Sequence, residues 1–386
     1  MRMRTPLVLL TVVAISSIAV AGPDWNDAGS DHSWTNGANW AGGFAPATGG
    51  ADNNPAIHGQ AVGPTIDAAV PYQWNVWHGV FGSQPGAVII TTTNASLICH
   101  EYVMGNSDDT YTNAIVEMDA GWFQADKFTI GNSQSAQVNI SGGIMTAYNP
   151  GNELFVGGNT TNEAWARGRI NITGTGDVRA DTLYMNLGWA QNDSRIQIED
   201  AGLLKVRGDQ TGAGTDLMAY IGTNWIYTTN AGYVIEASYD PVWNETIVRS
   251  APAGRTGYEI WADNWHLTGD AALSTADTEP DGMENMLEYV LGGSPYTNDA
   301  TAVLPTSEFT MDSIEYVYQR RLDADDRGLV YGLVLNTNGL DSAWDSATTN
   351  YETSVVALDA YFESVTNTIS ITGVDVGFVN LEVMEN

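Results

Sequence analysis

The sequence predicts a mainly β chain: a parallel β-helix (β-solenoid), then a short loop-and-helix segment, then a small C-terminal β-sandwich-like domain. Three observations carry this. A glycine phrase returns from Met104 to Asn224, an alternating apolar phrase returns between its copies, and one acidic loop interrupts the β pattern after residue 276.

The glycine phrase is an apolar residue, Gly and a small polar residue. It reads Met104-Gly105-Asn106-Ser107, Ile130-Gly131-Asn132-Ser133 and Val156-Gly157-Gly158-Asn159, with looser copies at Leu187-Gly188-Trp189 and Ile221-Gly222-Thr223-Asn224. The alternating phrase reads Val116-Glu117-Met118, Val138-Asn139-Ile140, Ile170-Asn171-Ile172 and Ile196-Gln197-Ile198, each followed by a Gly bend. One coil of short strands cannot bury its apolar row alone, whereas stacked coils bury it continuously and pair their backbones. Val116, Met118 and their counterparts should therefore face inward. Glu117, Asn139, Asn171 and Gln197 should form one outward column. An antiparallel sandwich could also alternate, but two phrases recurring in the same order favour the solenoid.

At the N-terminus, Met1-Arg2-Met3-Arg4 is a short basic start and Pro6 to Val20 is mostly apolar. Ala19-Val20-Ala21 then offers the small-residue pattern that signal peptidases cut. Residues 1–21 read as a secretory signal, so the mature chain is expected outside the cell or on its surface. Ser16-Ser17 interrupt a stretch already short for a bilayer, and the mature sequence offers no transmembrane segment. Residues 22–250 read as the solenoid with a Trp-rich cap, 251–297 as a linker carrying the acidic loop, and 298–386 as the C-terminal β domain.

Composition agrees with a folded, exported chain. Against 46 acidic residues stand 14 basic ones, a net charge of −32 that repels nucleic acid and anionic lipid. The 43% apolar content and 13 Trp argue against disorder. The single Cys99 allows no intramolecular disulfide and, in the strand-like Ser96-Leu97-Ile98-Cys99, reads as core filler. In the entry module, Trp25, Trp34 and Trp40 suit a cap over the first coil's open end, with sugar stacking as the functional rival. Further on, Asn162-Glu163-Ala164-Trp165, Trp189 with Gln191 and Asn192, and Asn224-Trp225 grow from one corner of the coils. Trp165, Trp189 and Trp225 are the candidate glycan contacts of an extracellular polysaccharide partner. Their unequal offsets from the glycines also fit loops packing on one another. Past Ile235 the period fades, and Arg249 to Arg255 reads as an exposed linker.

The acidic loop is the stretch with chemical specificity. Asp277-Thr-Glu279-Pro-Asp281-Gly282-Met283-Glu-Asn285-Met-Leu-Glu288 fits a twelve-residue calcium loop of half-EF-hand type. Asp277, Glu279, Asp281 and Glu288 supply carboxylates, Met283 a carbonyl and Asn285 the ninth position, with Gly282 at the sharp turn. Calcium, a hard cation, wants six to eight oxygens, and this spacing delivers them. Met283, Met286, Leu287, Val290 and Leu291 should form the buried face of a following helix, which Gly292-Gly293 and Pro295 stop. The bland alternative is an acidic helix start favoured by the helix dipole.

Trp265-His-Leu-Thr-Gly269, the loop, Asn285 and Leu287-Glu288-Tyr289-Val290-Leu291-Gly292-Gly293-Ser-Pro295 resemble the "DPDGDG-x-x-N-x-x-E-Y-x-x-G-x-x-P" segment of secreted bacterial multidomain proteins. The runs from Tyr316 to Tyr331 and Gly377 to Leu381 are similar to the small β domain that follows it there. Where that group has Asp-Pro-Asp-Gly-Asp-Gly, this chain has Asp277-Thr-Glu279-Pro-Asp281-Gly282. The resemblance implies export, calcium and surface display, and no particular reaction.

Some β-helices are polysaccharide lyases or hydrolases, so an enzyme is the alternative. A lyase needs a base and cations around a uronate, and a hydrolase needs paired carboxylates. Asp177, Asp181, Glu199 and Asp200 are the candidates among abundant acids. No catalytic residue stands out: the sequence has no Gly-x-Ser-x-Gly, no His-Glu-x-x-His and no phosphate-cradling glycine loop. The leading expectation is a non-catalytic exported protein with a structural calcium site.

Overall fold

The structure, a computed structural model, describes residues 23–385 apart from 48–53, 59, 80–85, 106–113, 159–165, 187–192, 241, 337–344, 347–350, 360 and 373–377. The signal-peptide reading of residues 1–21 and the candidate contacts Trp165 and Trp189 lie outside the described residues. The chain divides into two compact units, 1–253 and 254–386.

The first unit is a parallel β-solenoid of about five turns. One sheet stacks Thr65–Ile66, Val88–Ile90, Ala114–Met118, Ser135–Ile140, Arg167–Ile172, Arg195–Ile198 and Ile226–Tyr227, every pair parallel. The register follows the alternating phrase. Val116 pairs with Val138, Val138 with Ile170 and Ile170 with Ile196, all with 0% exposure. The partner column, Glu117, Asn139, Asn171 and Gln197, faces outward. Its amides bridge coils: Asn139 Nδ2 donates to Glu117 Oε1 at 2.8 Å, and Asn171 Nδ2 to Asn139 Oδ1 at 2.7 Å. The other sheet stacks Gln73–His78, Ser96–Met104, Trp122–Ile130, Ile144–Ala147, Asp177–Ala180 and Leu203–Arg207, also parallel. Gly131, at the corner, has φ +75°, and a Cβ there would come within 2.3 Å of the Arg167 carbonyl on the next coil. Only glycine combines that backbone conformation with that approach.

Both ends of the core are covered. At the N-terminal end Trp25, Trp34 and Trp40 are buried and meet edge to face, with ring centroids 5.1 and 4.9 Å apart. Trp25 Nε1 donates to Val62 O and Trp40 Nε1 to Trp34 O. These tryptophans fill the cap, and no ring is left for a sugar. At the other end the structure corrects two expectations. The phrase Ile221-Gly222 is not a coil corner but the end of the helix Asp216–Gly222, which packs Leu217 and Tyr220 onto the core. Arg249 to Pro252 is not linker but part of the strand Glu245–Pro252. That strand pairs antiparallel with Leu203–Arg207 and with Tyr233–Asp240, replacing the parallel edge by a hairpin. Cys99 is buried core, and burial pushes its thiol up, away from the reactive thiolate.

In the second unit, two antiparallel sheets pack face to face. One contains Thr306–Phe309, Ser313–Arg321, Phe362–Ser370 and Glu352–Ala357; the other contains Asp345–Ser346, Leu329–Asn336 and Phe378–Glu385. Tyr316, Tyr318, Val365 and Ile369 of the first meet Leu333, Leu335 and Leu381 of the second. A second core joins Tyr258, Trp261, Met283, Tyr289, Val290 and Leu291 to Ala324 and Leu329. Residues 254–297 therefore share a unit with the β domain. Among the described residues no helix is long and apolar enough to cross a membrane.

Candidate metal centre

The acidic loop folds on its own side chains. Asp277 Oδ1 accepts from Asp281 N at 3.2 Å and its Oδ2 from Gly282 N at 3.0 Å, while Asp281 Oδ1 accepts from Met283 N at 2.9 Å. Gly282 turns the chain at φ +93°, as the sixth loop position requires. The helix Asn285–Leu291 follows and ends at Gly292, whose left-handed conformation returns its N–H to Glu288 O at 2.8 Å. Met283, Val290 and Leu291 are buried as expected. Leu287 is 38% exposed, and Tyr289 takes the inner place instead with 0% exposure. Tertiary packing explains the swap: Met283 precedes the helix, and the Tyr289 ring packs against Tyr258 and Trp261.

The carboxylates converge. Oxygens of Asp277, Glu279 and Asp281 lie within 4.8 Å of one another, and so do oxygens of Asp281, Glu288 and Asp299. Two oxygens on opposite sides of a calcium ion stand about 4.6–5.2 Å apart, twice the usual bond length. Glu288 has 0% exposure, yet neither of its oxygens has a hydrogen-bond partner, and the same holds for the buried oxygens of Glu279. Burial first, then the neighbouring Glu279 and the charges of Asp299 and Asp281, push the Glu288 carboxyl up to about 9. Asp299 is raised by burial and by Asp281. Asp281 moves the other way, because the Met283, Ala300 and Asp299 amides donate to it. Two carboxylates can only repel each other until a proton or a cation comes between them.

The other loop positions divide. The Met283 side chain is core. Asn285 is fully buried and its amide nitrogen fastens the loop, donating to Ala271 O at 2.8 Å and Leu273 O at 3.0 Å. Asp299 escaped the sequence reading because it lies beyond the helix stop, outside the twelve-residue pattern. The bland alternative predicts solvated acids at a helix start, and a fully buried Glu288 does not fit it.

Of the candidate glycan contacts only Trp225 is described. It is half-buried, and one face stacks on Tyr220 at 5.6 Å. Three of the four candidate acids of the solenoid are engaged, while Asp200 is exposed and accepts from Gly174 N at 3.4 Å. Asp177 pairs with Arg179 and Lys205, and Asp181 with Arg207. Glu199 accepts from Thr228, Thr229 and Gln197. Compared with models of protein families, with curated proteins and with solved structures, the chain matches none.

Proposed function

We propose that the chain is an exported, non-catalytic extracellular or cell-surface protein whose C-terminal unit is held together by a structural calcium ion. The observation that carries this is the gathering of Asp277, Glu279 and Asp281 in one group and of Asp281, Glu288 and Asp299 in another, with Glu288 fully buried and its oxygens unpartnered. An uncompensated buried carboxylate costs several kcal/mol, so a fold retains one only where something neutralises it. The oxygen-only donor set and its 4.8 Å span suit calcium. Magnesium needs a tighter octahedron.

Export is supported by the basic, then apolar, then Ala19-Val20-Ala21 start and by the strongly acidic composition. The solenoid then acts as a rigid spacer whose surface around Trp225, after the helix Asp216–Gly222, is offered to polysaccharide. The non-catalytic reading is supported by the ion pairs and hydrogen bonds that occupy Asp177, Asp181 and Glu199. A polysaccharide-active enzyme needs such carboxylates available to substrate.

One preparation tests the proposal. Protein recovered from the medium of an exporting host should begin near Gly22 by intact mass. After chelation it should bind calcium in a calorimetric titration, with magnesium substituting poorly. No calcium binding at millimolar ion would refute the reading.

A further inference from the structure

The carboxylates form two groups that share Asp281, and the second group includes a residue outside the loop. We infer that the cluster takes two divalent cations bridged by Asp281. One is held in the loop by Asp277, Glu279 and Asp281, and the other by Asp281, Glu288 and Asp299. The inference rests on the calcium reading above and extends it from one ion to two.

The Asp299 carboxylate accepts from the Ser294 and its own backbone amide, which leaves one oxygen for a ligand. It occupies the N-cap position of the short helix Ala300–Val303, but its side chain makes no capping hydrogen bond. Its Oδ1 is buried without a partner. The chain is nonetheless built to deliver it. Asp281 Oδ2 accepts from the amides of both Asp299 and Ala300, at 2.9 and 2.8 Å, so the bridging carboxylate also fixes the backbone that carries the outer ligand. Gly293 keeps the approach open. A Cβ there would lie 3.3 Å from Asp299 Oδ1 and 3.3 Å from the Glu288 Cα and Cβ, between the two ligands. The glycine pair that ends the helix thus also clears the way for Asp299.

Charge points the same way. One divalent ion would leave three of these five carboxylate charges uncompensated around a fully buried Glu288. Two ions leave one. The two pairs of unpartnered oxygens, on Glu279 and on Glu288, fall one in each group. The outer ion ties the loop and the helix to residues 294–299, closing a ring of chain that the loop ion alone leaves open.

The experiment counts ions. The full chain is equilibrated with calcium alone, freed of unbound ion, and its calcium per chain measured by elemental analysis. Wild type should hold two, while Asp299→Asn and Asp277→Asn should each hold one. Glu284→Gln, an exposed acid of the same stretch in neither group, should still hold two. If Asp299→Asn does not fold, wild type and Asp277→Asn decide the matter alone: two and one support the inference, one and none overturn it. Two ions retained by a folded Asp299→Asn also overturn it. A wild type that holds one ion sinks the second site and leaves the proposed function standing. A wild type that holds none sinks both.

Discussion

Replacing Glu288 by Gln should change the second unit in opposite directions with and without calcium. Gln keeps the shape of the side chain and the helix around it, so Tyr289, Val290 and Leu291 keep their places in the core. What changes is charge. In the ion-free protein burial and the neighbouring carboxylates push the Glu288 carboxyl up to about 9 in the folded state, from an ordinary 4.5 in the unfolded chain. Between those values the folded state binds more protons, so stability is full below 4.5 and falls as pH rises toward 9. At pH 7 the folded chain has given up about 3 kcal/mol to keep that proton, at 1.36 kcal/mol for each unit between 4.5 and 7. Gln escapes this cost. In chelator, Glu288→Gln should therefore be more stable than wild type, by up to about 3 kcal/mol. In calcium the order reverses. At a thousandfold excess over Kd wild type gains about 4.1 kcal/mol, more than the advantage Gln holds in chelator, and the variant, lacking a bidentate ligand, gains little of it.

Limited proteolysis reads both states, because the helix is tied to the β domain by Arg321 Nη1 to Tyr289 O and Tyr331 Oη to Val290 O. Loosening the loop should expose residues 275–295 to cutting and lower the unit's melting temperature. The solenoid, a separate compact unit, should melt unchanged. If Glu288→Gln shifted stability in the same direction in calcium and in chelator, the buried carboxylate would not be an ion ligand and the reasoning would fail.

Two further predictions concern the solenoid. His78 is fully buried, with Nε2 donating to Gly86 O at 3.1 Å and Nδ1 facing the Tyr102 hydroxyl at 3.2 Å, and burial lowers its pKa to about 4. The unfolded chain takes up this proton first, so solenoid stability should be flat above pH 6.5 and fall by about 3 kcal/mol toward pH 4; His78→Gln should remove that dependence from denaturant midpoints. Ile170→Ala, at 0% exposure between Val138 and Ile196, should cost about 3 kcal/mol in urea unfolding. Asn171→Ala on the outward column should cost under about 1 kcal/mol, and equal costs would contradict the inner and outer assignment.

How far the sequence could be read depends on how local each cause is. The row Val116, Val138, Ile170, Ile196 was legible because period-2 alternation and a glycine corner are decided within a few residues, and stacking repeats that decision. The phrase Ile221-Gly222-Thr223-Asn224 looked the same and was not. There an apolar residue and Gly end a helix, and Asn224 at φ +60° supplies the left-handed turn that glycine supplies at the corners. The Glu245–Pro252 strand was hidden because Pro252, Gly254 and two arginines resemble linker composition. Its strand character comes from distant partners, Leu203–Arg207 and Tyr233–Asp240. The carboxylate cluster shows both cases at once. Asp277, Glu279, Asp281 and Glu288 follow a fixed spacing set by one turn and one helix, so the motif could be seen. Asp299 is brought in by backbone hydrogen bonds to Asp281 and by the missing side chain of Gly293, and neither leaves a mark on the spacing. A ligand recruited by tertiary contact is where a motif reading stops. It is also where counting ions will separate a borrowed calcium loop from a site built for this fold.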